Sequence, residues 1–257
     1  MTQGRVVIVG QESTWEVYPP PRIAVKLSQG YKFTVIAREL PSDVDIDYAS
    51  PWAGAHFRPT AAKTQEERWE QRLMRETYKE LEGIAKHYPE VGVDFVPAVD
   101  YFDAANATTL PTEENGYTTR PDFRILESWE YPPKHAMIQI WVTYRSRVVN
   151  SPIYLKWLQM RAEEKEVHFI RAQLTDLQQA VSVYQENRAQ GDTENAMAIV
   201  DASGRGFNDP VSFPSRGQFS IASNQCDKTI SHHWSDESST VIIPRPLGGG
   251  IVIGGTK

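Results

Sequence analysis

The chain has 257 residues, of which 40% are hydrophobic, so it is long enough to form one large or two small domains with a substantial core. A formal net charge of −6 argues against a nucleic-acid-binding surface, and the single cysteine, Cys226, excludes a disulfide framework and a cysteine-based zinc site. No segment is long and apolar enough to span a membrane, and the N-terminus lacks a signal-peptide pattern. We therefore expect a mixed α/β protein with no nucleic-acid or membrane partner.

The N-terminal segment has the pattern of a nucleotide-binding α/β unit. Arg5–Gly10 is a short apolar strand that ends in glycine, and Tyr31–Glu39 contains a second such strand. Between them, Ile23–Gly30 is interpreted as the end of a helix that stops at Gly30. A strand, a turn, a helix and a second strand in this order predict the beginning of a Rossmann unit.

The turn after the first strand departs from the glycine-rich pattern of such units. The pattern G-x-G-x-x-G allows bare backbone amides at a helix N-terminus to approach a pyrophosphate. Gln11–Arg22 instead has no glycine and contains three consecutive prolines, Pro19, Pro20 and Pro21. Proline has no N–H group, and a proline run favours polyproline II over a first helical turn. We therefore expect weakened phosphate binding at this turn.

Helical and strand patterns alternate through the middle of the chain. Thr64–His87 is the clearest helix, since Thr64 and Glu67 form a capping box and apolar residues follow at helical spacing. Further elements are predicted as a strand at Met137–Tyr144, a helix beginning at Ser151, a strand at Val167–Leu174, a short helix after Thr175 and a strand at Ala196–Val200.

The last part of the chain favours antiparallel sheet. Gln218–Ala222, Thr240–Pro244 and Gly250–Gly255 are short apolar segments joined by polar turns. His232 and His233 lie between them on a predicted loop, where, without a third ligand in view, we expect them to face solvent and not to bind a metal. An apolar strand directly before Lys257 also suggests that structure which would cover it is missing.

Three groups of segments carry the most specific patterns. Ala49–Thr60 (ASPWAGAHFRPT) is a loop of small residues that leaves the main chain accessible to a flat or charged ligand. Ala198–Phe207 (AIVDASGRGF) is a strand that runs into a glycine-containing turn, where α/β sheets bind ligands. The third group consists of Ser215–Ala222 and the segment Val241–Thr256 (VIIPRPLGGGIVIGGT).

In this order, and together with the N-terminal strands and the helix segment Val149–Leu158, these motifs resemble the fungal members of the D-amino-acid oxidase family. The resemblance covers nearly the whole chain. It implies an α/β fold in which a Rossmann-like, glutathione-reductase-like FAD-binding domain is interleaved with a substrate domain built on a mixed, largely antiparallel sheet that is incomplete at the C-terminus. The expected domains are residues 1–60 and 137–210 for FAD and residues 61–136 and 211–257 for substrate.

The resemblance also implies an activity. Family members oxidise D-amino acids to 2-oxo acids, ammonia and hydrogen peroxide, with hydride transfer to flavin N5 and dioxygen as the oxidant. The implied cofactor is FAD, and the flavin performs the difficult chemistry while the protein orients the substrate. No acid–base dyad is needed, so no catalytic side chain and no metal ligand are assigned. A homodimer and a peroxisomal or cytoplasmic location are further expectations of the family.

Cofactor positions follow from the resemblance residue by residue. Arg38 is the expected contact to the FAD phosphates or adenosine, and the Ala49–Thr60 loop supplies contacts to the flavin ring and the pyrophosphate. The backbone of Leu174 is expected near the adenine. The complete set of expected cofactor contacts is Gly10, Arg38, Ser50, Ala53, Gly54, Ala55, His56, Leu174, Ser203 and Gly204.

The substrate side departs further from the family. Val241 occupies the position of a family tyrosine whose hydroxyl binds the substrate carboxylate, and valine cannot form that bond. Lys257 follows the GGT motif, where some fungal relatives carry a second active-site tyrosine. His232 lies in the variable active-site loop and is a candidate contact for an acidic substrate side chain. The family's carboxylate-binding arginine has no counterpart in this chain.

Two alternatives to a D-amino-acid oxidase remain open at this point. One is a non-catalytic, truncated or mis-spliced family member that binds FAD weakly or not at all, since Gln11–Arg22 differs in composition from its surroundings. The other is an oxidase that prefers D-aspartate to neutral D-amino acids. A partner-binding module has no supporting feature in the sequence.

Overall fold

The structure is a computed structural model that describes residues 4–10, 30–57, 62, 64–104, 116–130, 138–188, 193–204, 207, 210–211 and 217–256. The proline-containing turn and all of the predicted first helix except Gly30 lie outside these residues. The chain divides into two compact units. The first unit comprises Met1–Ala53 and Ser151–Arg216, and the second comprises Gly54–Asn150 and Gly217–Lys257.

The first unit contains a parallel sheet of four strands. They are β1 Gly4–Gly10, β2 Tyr31–Ala37, β7 His168–Arg171 and β8 Ala196–Ala202, in the order β7-β2-β1-β8. The pairings β1–β2, β1–β8 and β2–β7 are all parallel, as in a doubly wound α/β fold.

Helices pack on both faces of this sheet, which explains why its central strand is apolar throughout. Ile8 and Val35 share a buried cluster with Leu155 of the helix Ser151–Glu163. Val7 and Ile36 point to the other face and pack against Ala180 and Tyr184 of the helix Leu177–Glu186. Because successive side chains point to opposite faces, these contacts show that both faces of the sheet are buried. Burial on both faces explains why β1 and β2 contain continuous runs of β-branched residues.

The second unit contains an eight-stranded mixed sheet. Its strands are β3 Ala55–His56, β4 Val93–Phe102, β5 Arg124–Ile125, β6 Ile140–Val149, β9 Ser220–Ala222, β10 Thr229–His233, β11 Ser239–Pro244 and β12 Ile251–Thr256. The main order is β3-β6-β4-β10-β11-β12-β9, and β5 pairs with β6. Among the described strand pairs of this second sheet, only the pairing of β4 with β10 is parallel.

The helix of the second unit, α1 (Gln65–His87), confirms the predicted capping box. The Thr64 side chain accepts a hydrogen bond from the Glu67 N–H, and the Glu67 carboxylate accepts one from the Thr64 N–H. Such a box is typically worth about 1 kcal/mol. The two helices of the first unit are α2 (Ser151–Glu163) and α3 (Leu177–Glu186).

Two strands of five or more residues, β4 and β10, were not expected from the sequence, in addition to the two-residue strands β3 and β5. β4 was not predicted, and β10 replaces the loop on which His232 and His233 were placed. The expectation that these histidines face solvent is wrong. The His232 Nε2 atom lies 2.7 Å from the Asp103 Oδ1 atom, and the His233 ring stacks on the Phe102 ring with a centroid distance of 4.5 Å.

The expected domain boundary at residue 137 differs from the boundary between the two units in the structure. Strand β6 pairs along its whole length with β4, from Val93 opposite Val149 to Phe102 opposite Ile140. Residues 140–149 therefore belong to the second unit, and the chain enters the first unit again at Ser151. Among the described residues, no helix is both long and apolar enough to cross a membrane.

Candidate functional site

The carboxyl ends of three adjacent parallel strands meet at one edge of the first unit. Gly10 at the end of β1 lies opposite Ala37 at the end of β2 and Ala202 at the end of β8. In open α/β sheets, ligands bind in the crevice outside these carboxyl ends. Any side chain that follows Gly10, Ala37 or Ala202 is therefore well placed to contact a bound group.

Glu39 lies two residues after β2 and has an incompletely bonded carboxylate. The side chain is buried, its Oε1 atom contacts the Arg38 guanidinium, and its Oε2 atom is inaccessible and has no hydrogen-bond partner in the described structure. A buried carboxylate oxygen is costly unless a donor reaches it. An acidic residue at this point of a Rossmann unit accepts the ribose hydroxyls of a dinucleotide.

Sequence reasoning selected Arg38 and missed Glu39. The Arg38 carbonyl accepts a hydrogen bond of 3.0 Å from Arg171, whose guanidinium also binds the Asp43 carboxylate at 2.6 and 3.0 Å. The hydrogen bond from Arg171 is the largest cause that lowers the pKa of Asp43 below its usual value. These bonds fix the backbone that follows β2. The signal that would have identified Glu39 is the general rule that a dinucleotide-binding unit carries an acidic residue just after its second strand.

Ser203 and Gly204 provide a second feature at the same edge. Ser203 is 2% exposed, and its Oγ atom is buried without a partner in the described part of the chain. Its backbone N–H donates to the Asp201 carboxylate at 2.9 Å, which turns the chain directly after β8. Gly204 has a φ of +71°, a conformation that favours glycine. Asp201 is therefore the side chain that forms the turn at the end of β8.

These atoms fit the sugar and phosphate groups of a dinucleotide. Glu39 offers an unfilled acceptor for hydroxyl donors, and the Ser203 hydroxyl offers a donor and an acceptor. Gly10 has no side chain and is the last residue of β1. In the sheet, β1 lies between β2, which precedes Glu39, and β8, which precedes Ser203. A buried, unpartnered carboxylate oxygen and a buried, unpartnered hydroxyl in this arrangement are what a bound dinucleotide would satisfy.

The small-residue loop spans both units. Ser50 lies in a single 3-10 turn, Ser50–Trp52, and its fully buried Oγ atom has no partner among the described residues. The Ala53 carbonyl accepts a bond of 3.4 Å from the Ser151 hydroxyl at the start of α2. Ser50 and Ala53 belong to the first unit, whereas Gly54 belongs to the second.

Gly54 and its successors are held by the sheet of the second unit. A Cβ atom on Gly54 would lie 3.0 Å from Val252 and 3.1 Å from Ile243, so only glycine fits here without a shift. Ala55 and His56 form β3 and pair with the end of β6. Leu174 belongs to the first unit, where its side chain packs with Val7, Val9 and Ile36 in the core. The expected adenine contact through its backbone stays a prediction.

The structure separates the expected substrate residues. His232 lies opposite Thr240, and Val241 lies opposite Ser231, so His232 and Val241 point to opposite faces of the sheet. Val241 packs against an apolar cluster that contains Val148, Ile243 and Val252. His232 stacks on Trp234 at a centroid distance of 3.6 Å on the other face. Lys257 lies outside the described residues.

A row of buried polar residues lies on the same face as Val241 and was not foreseen. Ser231 lies opposite Val241 of β11 on one side and opposite Asp100 of β4 on the other. The side chains of Ser231 and Asp100 are fully buried. The Asp100 Oδ2 atom accepts hydrogen bonds from the Tyr117 and Tyr144 hydroxyls at 2.7 and 3.3 Å. Among the described residues, no group of three or more metal-ligating side chains is present.

The parallel sheet and its carboxyl edge define a dinucleotide-binding α/β unit, joined in sequence to a sheet-based second unit. The model of the family described as "FAD dependent oxidoreductase" (DAO) matches residues 23–257. The chain belongs to this family, and FAD is the family's cofactor.

Three curated relatives share moderate sequence identity with the chain. D-aspartate oxidase from Talaromyces thermophilus is 30% identical over 87% of this chain, and D-amino-acid oxidase from Fusarium vanettenii is 27% identical over 89%. D-amino-acid oxidase from Schizosaccharomyces pombe is 26% identical over 96% of this chain. The matched regions span 61%, 65% and 66% of these relatives, so this chain corresponds to about two thirds of their length or less.

Solved structures confirm the fold. Glycine oxidase from Bacillus cereus matches with a TM-score of 0.65 and 16% identity, covering 98% of this chain and 71% of that protein. L-α-glycerophosphate oxidase from Mycoplasma pneumoniae, solved with FAD bound, matches with a TM-score of 0.58 and 16% identity, covering 100% of this chain and 72% of that protein. The predicted α/β fold with a mixed, largely antiparallel second sheet is therefore confirmed.

Proposed function

We propose that this chain acts in the FAD-dependent oxidative deamination of D-amino acids to 2-oxo acids, ammonia and hydrogen peroxide. The observation that carries the proposal is a pair of buried oxygens at the carboxyl edge of the parallel sheet, Glu39 Oε2 and Ser203 Oγ, that have no hydrogen-bond partner among the described residues. The chain also belongs to an FAD-dependent family. The curated relatives are named D-amino-acid and D-aspartate oxidases, which supports a D-amino acid as the substrate class.

The residues assigned to the cofactor act by binding and orientation. The Glu39 carboxylate accepts ribose hydroxyls, Ser203 and Gly204 contact the cofactor at the end of β8, and Gly10 permits close approach at the end of β1. When bound, FAD supplies the two-electron acceptor for substrate oxidation. The expected contacts of Arg38, Ser50 and the 53–56 segment belong to the same proposal.

On the substrate side, we assign Val241 to packing against the substrate and not to binding its carboxylate. Valine has no donor, and its neighbours Val148, Ile243 and Val252 are apolar. Such a surface excludes water from a reacting centre but adds no recognition of charge. Because His232 points to the opposite sheet face, these two side chains cannot contact one ligand on the same side of the sheet.

A preference for D-aspartate is the second candidate. It is favoured by the 30% identity with the enzyme named D-aspartate oxidase. Dioxygen as the oxidant, a homodimer and a peroxisomal or cytoplasmic location are further parts of the proposal, supported by the family membership alone.

The test is an equilibrium titration of the purified chain with FAD, followed by measurement of hydrogen peroxide with D-alanine and with D-aspartate. Saturable flavin binding with peroxide release from a D-amino acid supports the proposal, and the faster substrate identifies the preference. Flavin binding without turnover of any D-amino acid would support the non-catalytic alternative. A chain that is folded by circular dichroism but does not bind FAD would contradict the assignment of the carboxyl edge.

A further inference from the structure

A stretch of the outer edge of β6 is bordered by loops and not by a neighbouring strand. β3 pairs with Val148 and Val149, and β5 pairs with Val142 and Thr143. Between these pairings, the Arg145 N–H donates to the Pro121 carbonyl at 2.8 Å, and the Arg147 carbonyl accepts from the Phe57 N–H at 2.9 Å. The segment that contains Arg120 and the residue Phe57 are thereby brought together at this edge.

Arg120 lies in this stretch as a partly buried guanidinium that has no acidic partner among the described residues. Its Cζ atom is 3.7 Å from the centroid of the Phe57 ring, a cation–π distance. Its Nε atom is inaccessible and has no hydrogen-bond partner, and the described residues offer it no ion pair. Two other arginines of this region have such partners, since Arg145 binds Glu82 at 2.7 Å and Arg124 binds Glu130 at 2.7 Å.

Among the described residues, the neighbours with the largest effect on Arg120 include no carboxylate. Burial lowers the pKa of the Arg120 guanidinium to about 10, and the neighbours that act on it are Tyr144, Tyr78 and Tyr117, which raise the pKa, and Arg75, which lowers it. The group therefore remains a cation at neutral pH. A partly buried cation of this kind is costly unless an anion accompanies it.

A second guanidinium faces the same ring. The Arg147 Cζ atom is 5.8 Å from the Phe57 centroid, so two positive charges lie around one aromatic side chain. Guanidinium groups bind carboxylates and phosphates through paired N–H donors, and a second positive charge nearby makes the surroundings of Arg120 more favourable for an oxyanion.

We propose that Arg120, which lies against Phe57 at the outer edge of β6, binds an oxyanion of the carboxylate or phosphate class, with Arg147 as a second positive charge near the same ring. The site lies within the second unit and does not depend on the proposed oxidase activity. Its ligand would satisfy the Arg120 donors and neutralise part of the local positive charge.

The experiment is isothermal titration of the purified full chain with sodium phosphate and, separately, with sodium acetate, at an ionic strength held constant by sodium chloride. Saturable binding of at least one of these anions is expected, and the anion that binds more tightly shows whether the site prefers a phosphate or a carboxylate. Arg120→Gln should weaken it by roughly tenfold, because a hydrogen-bonded charged partner is lost. The matched control Arg124→Gln, which changes an exposed arginine of the same segment, should leave the affinity unchanged within about twofold.

Phosphate bound at the carboxyl edge of the first unit would be insensitive to Arg120, so the variant distinguishes the two sites. If Arg120→Gln fails to fold by circular dichroism, Arg120→Lys keeps the charge, removes the planar fork and should still bind more weakly than the original chain. No saturable binding of either anion would overturn the proposal. An affinity unchanged in the folded Arg120 variant would also overturn it.

Discussion

Two buried carboxylates, one in each unit, are bonded in different ways. Asp100 in the second unit accepts bonds from the Tyr117 and Tyr144 hydroxyls on one of its oxygens. Glu39 in the first unit contacts the guanidinium of its neighbour Arg38 through one oxygen and lies two residues after β2, at the carboxyl edge of the parallel sheet. Each carboxylate also has an inaccessible oxygen, Asp100 Oδ1 and Glu39 Oε2, so burial alone does not separate a structural carboxylate from a binding one. Position and donors distinguish them, because Asp100 lies inside a sheet and its two hydroxyl donors belong to the core of its own unit.

The largest expected effect is on stability, from Asp100→Ala. This change leaves two buried tyrosine hydroxyls without their acceptor, which should cost about 2–5 kcal/mol of unfolding free energy. Chemical denaturation followed by circular dichroism measures the loss. A change below about 0.5 kcal/mol would show that Asp100 does not anchor these hydroxyls.

Glu39→Gln should affect FAD affinity more than stability, the reverse of what is expected for Asp100→Ala. The amide retains the size of the carboxylate but not its charge, so FAD affinity should fall by roughly tenfold while stability changes little. Quenching of flavin fluorescence gives the affinity, and Glu90→Gln, at an exposed glutamate in the second unit, is the control. An unchanged affinity for FAD would remove Glu39 from the cofactor site.

Ser203 and Ser231 form a matched pair for the same comparison. Both hydroxyls are buried without a partner among the described residues, one at the carboxyl edge and one beside Val241. Ser203→Ala should weaken FAD binding by roughly tenfold or less, whereas Ser231→Ala should leave it unchanged and alter stability by under about 1 kcal/mol. Equal effects of the two changes on flavin affinity would contradict the assignment of Ser203.

The smallest expected effect is the pH dependence of the Asp43–Arg171 pair. Because the pKa of Asp43 is lowered in the folded chain, its contribution is present above the usual value of 3.8 and is lost as pH falls through the lower folded value. The pair is partly exposed, so the contribution is about 0.2–1 kcal/mol. The difference in unfolding free energy between the original chain and Asp43→Asn should be present at neutral pH and shrink below pH 3.8. A difference that is constant with pH would contradict this interpretation.

Elements with one dominant signal could be predicted from the sequence. β1 and β2 are continuous apolar runs because both faces of the sheet are buried, and α1 has a capping box. β4 was missed because it contains Pro97 and charged residues in a central strand. The structure explains the proline, since pairing of β4 with β10 begins only at Ala98, opposite Thr229.

β10 was also missed, because most of its residues are polar. Thr229 and Ser231 are fully buried, and His232 is bound to Asp103, so side chains that suggest a loop lie inside a sheet. Their partners are distant in the chain and leave no local pattern. For the candidate site, the sequence indicated the strand ends and the turn at Ser203, but the unfilled bonding of Glu39 depends on its three-dimensional surroundings.

The most direct test of the cofactor assignment is an equilibrium titration of the purified chain with FAD, followed by desalting and a visible absorption spectrum. The carboxyl edge predicts saturable binding, and the proline-containing turn predicts that the flavin is lost on desalting. Absence of saturable binding by a folded chain would contradict the assignment of the carboxyl edge. Stoichiometric flavin that survives desalting would contradict the expectation of weak binding from the turn.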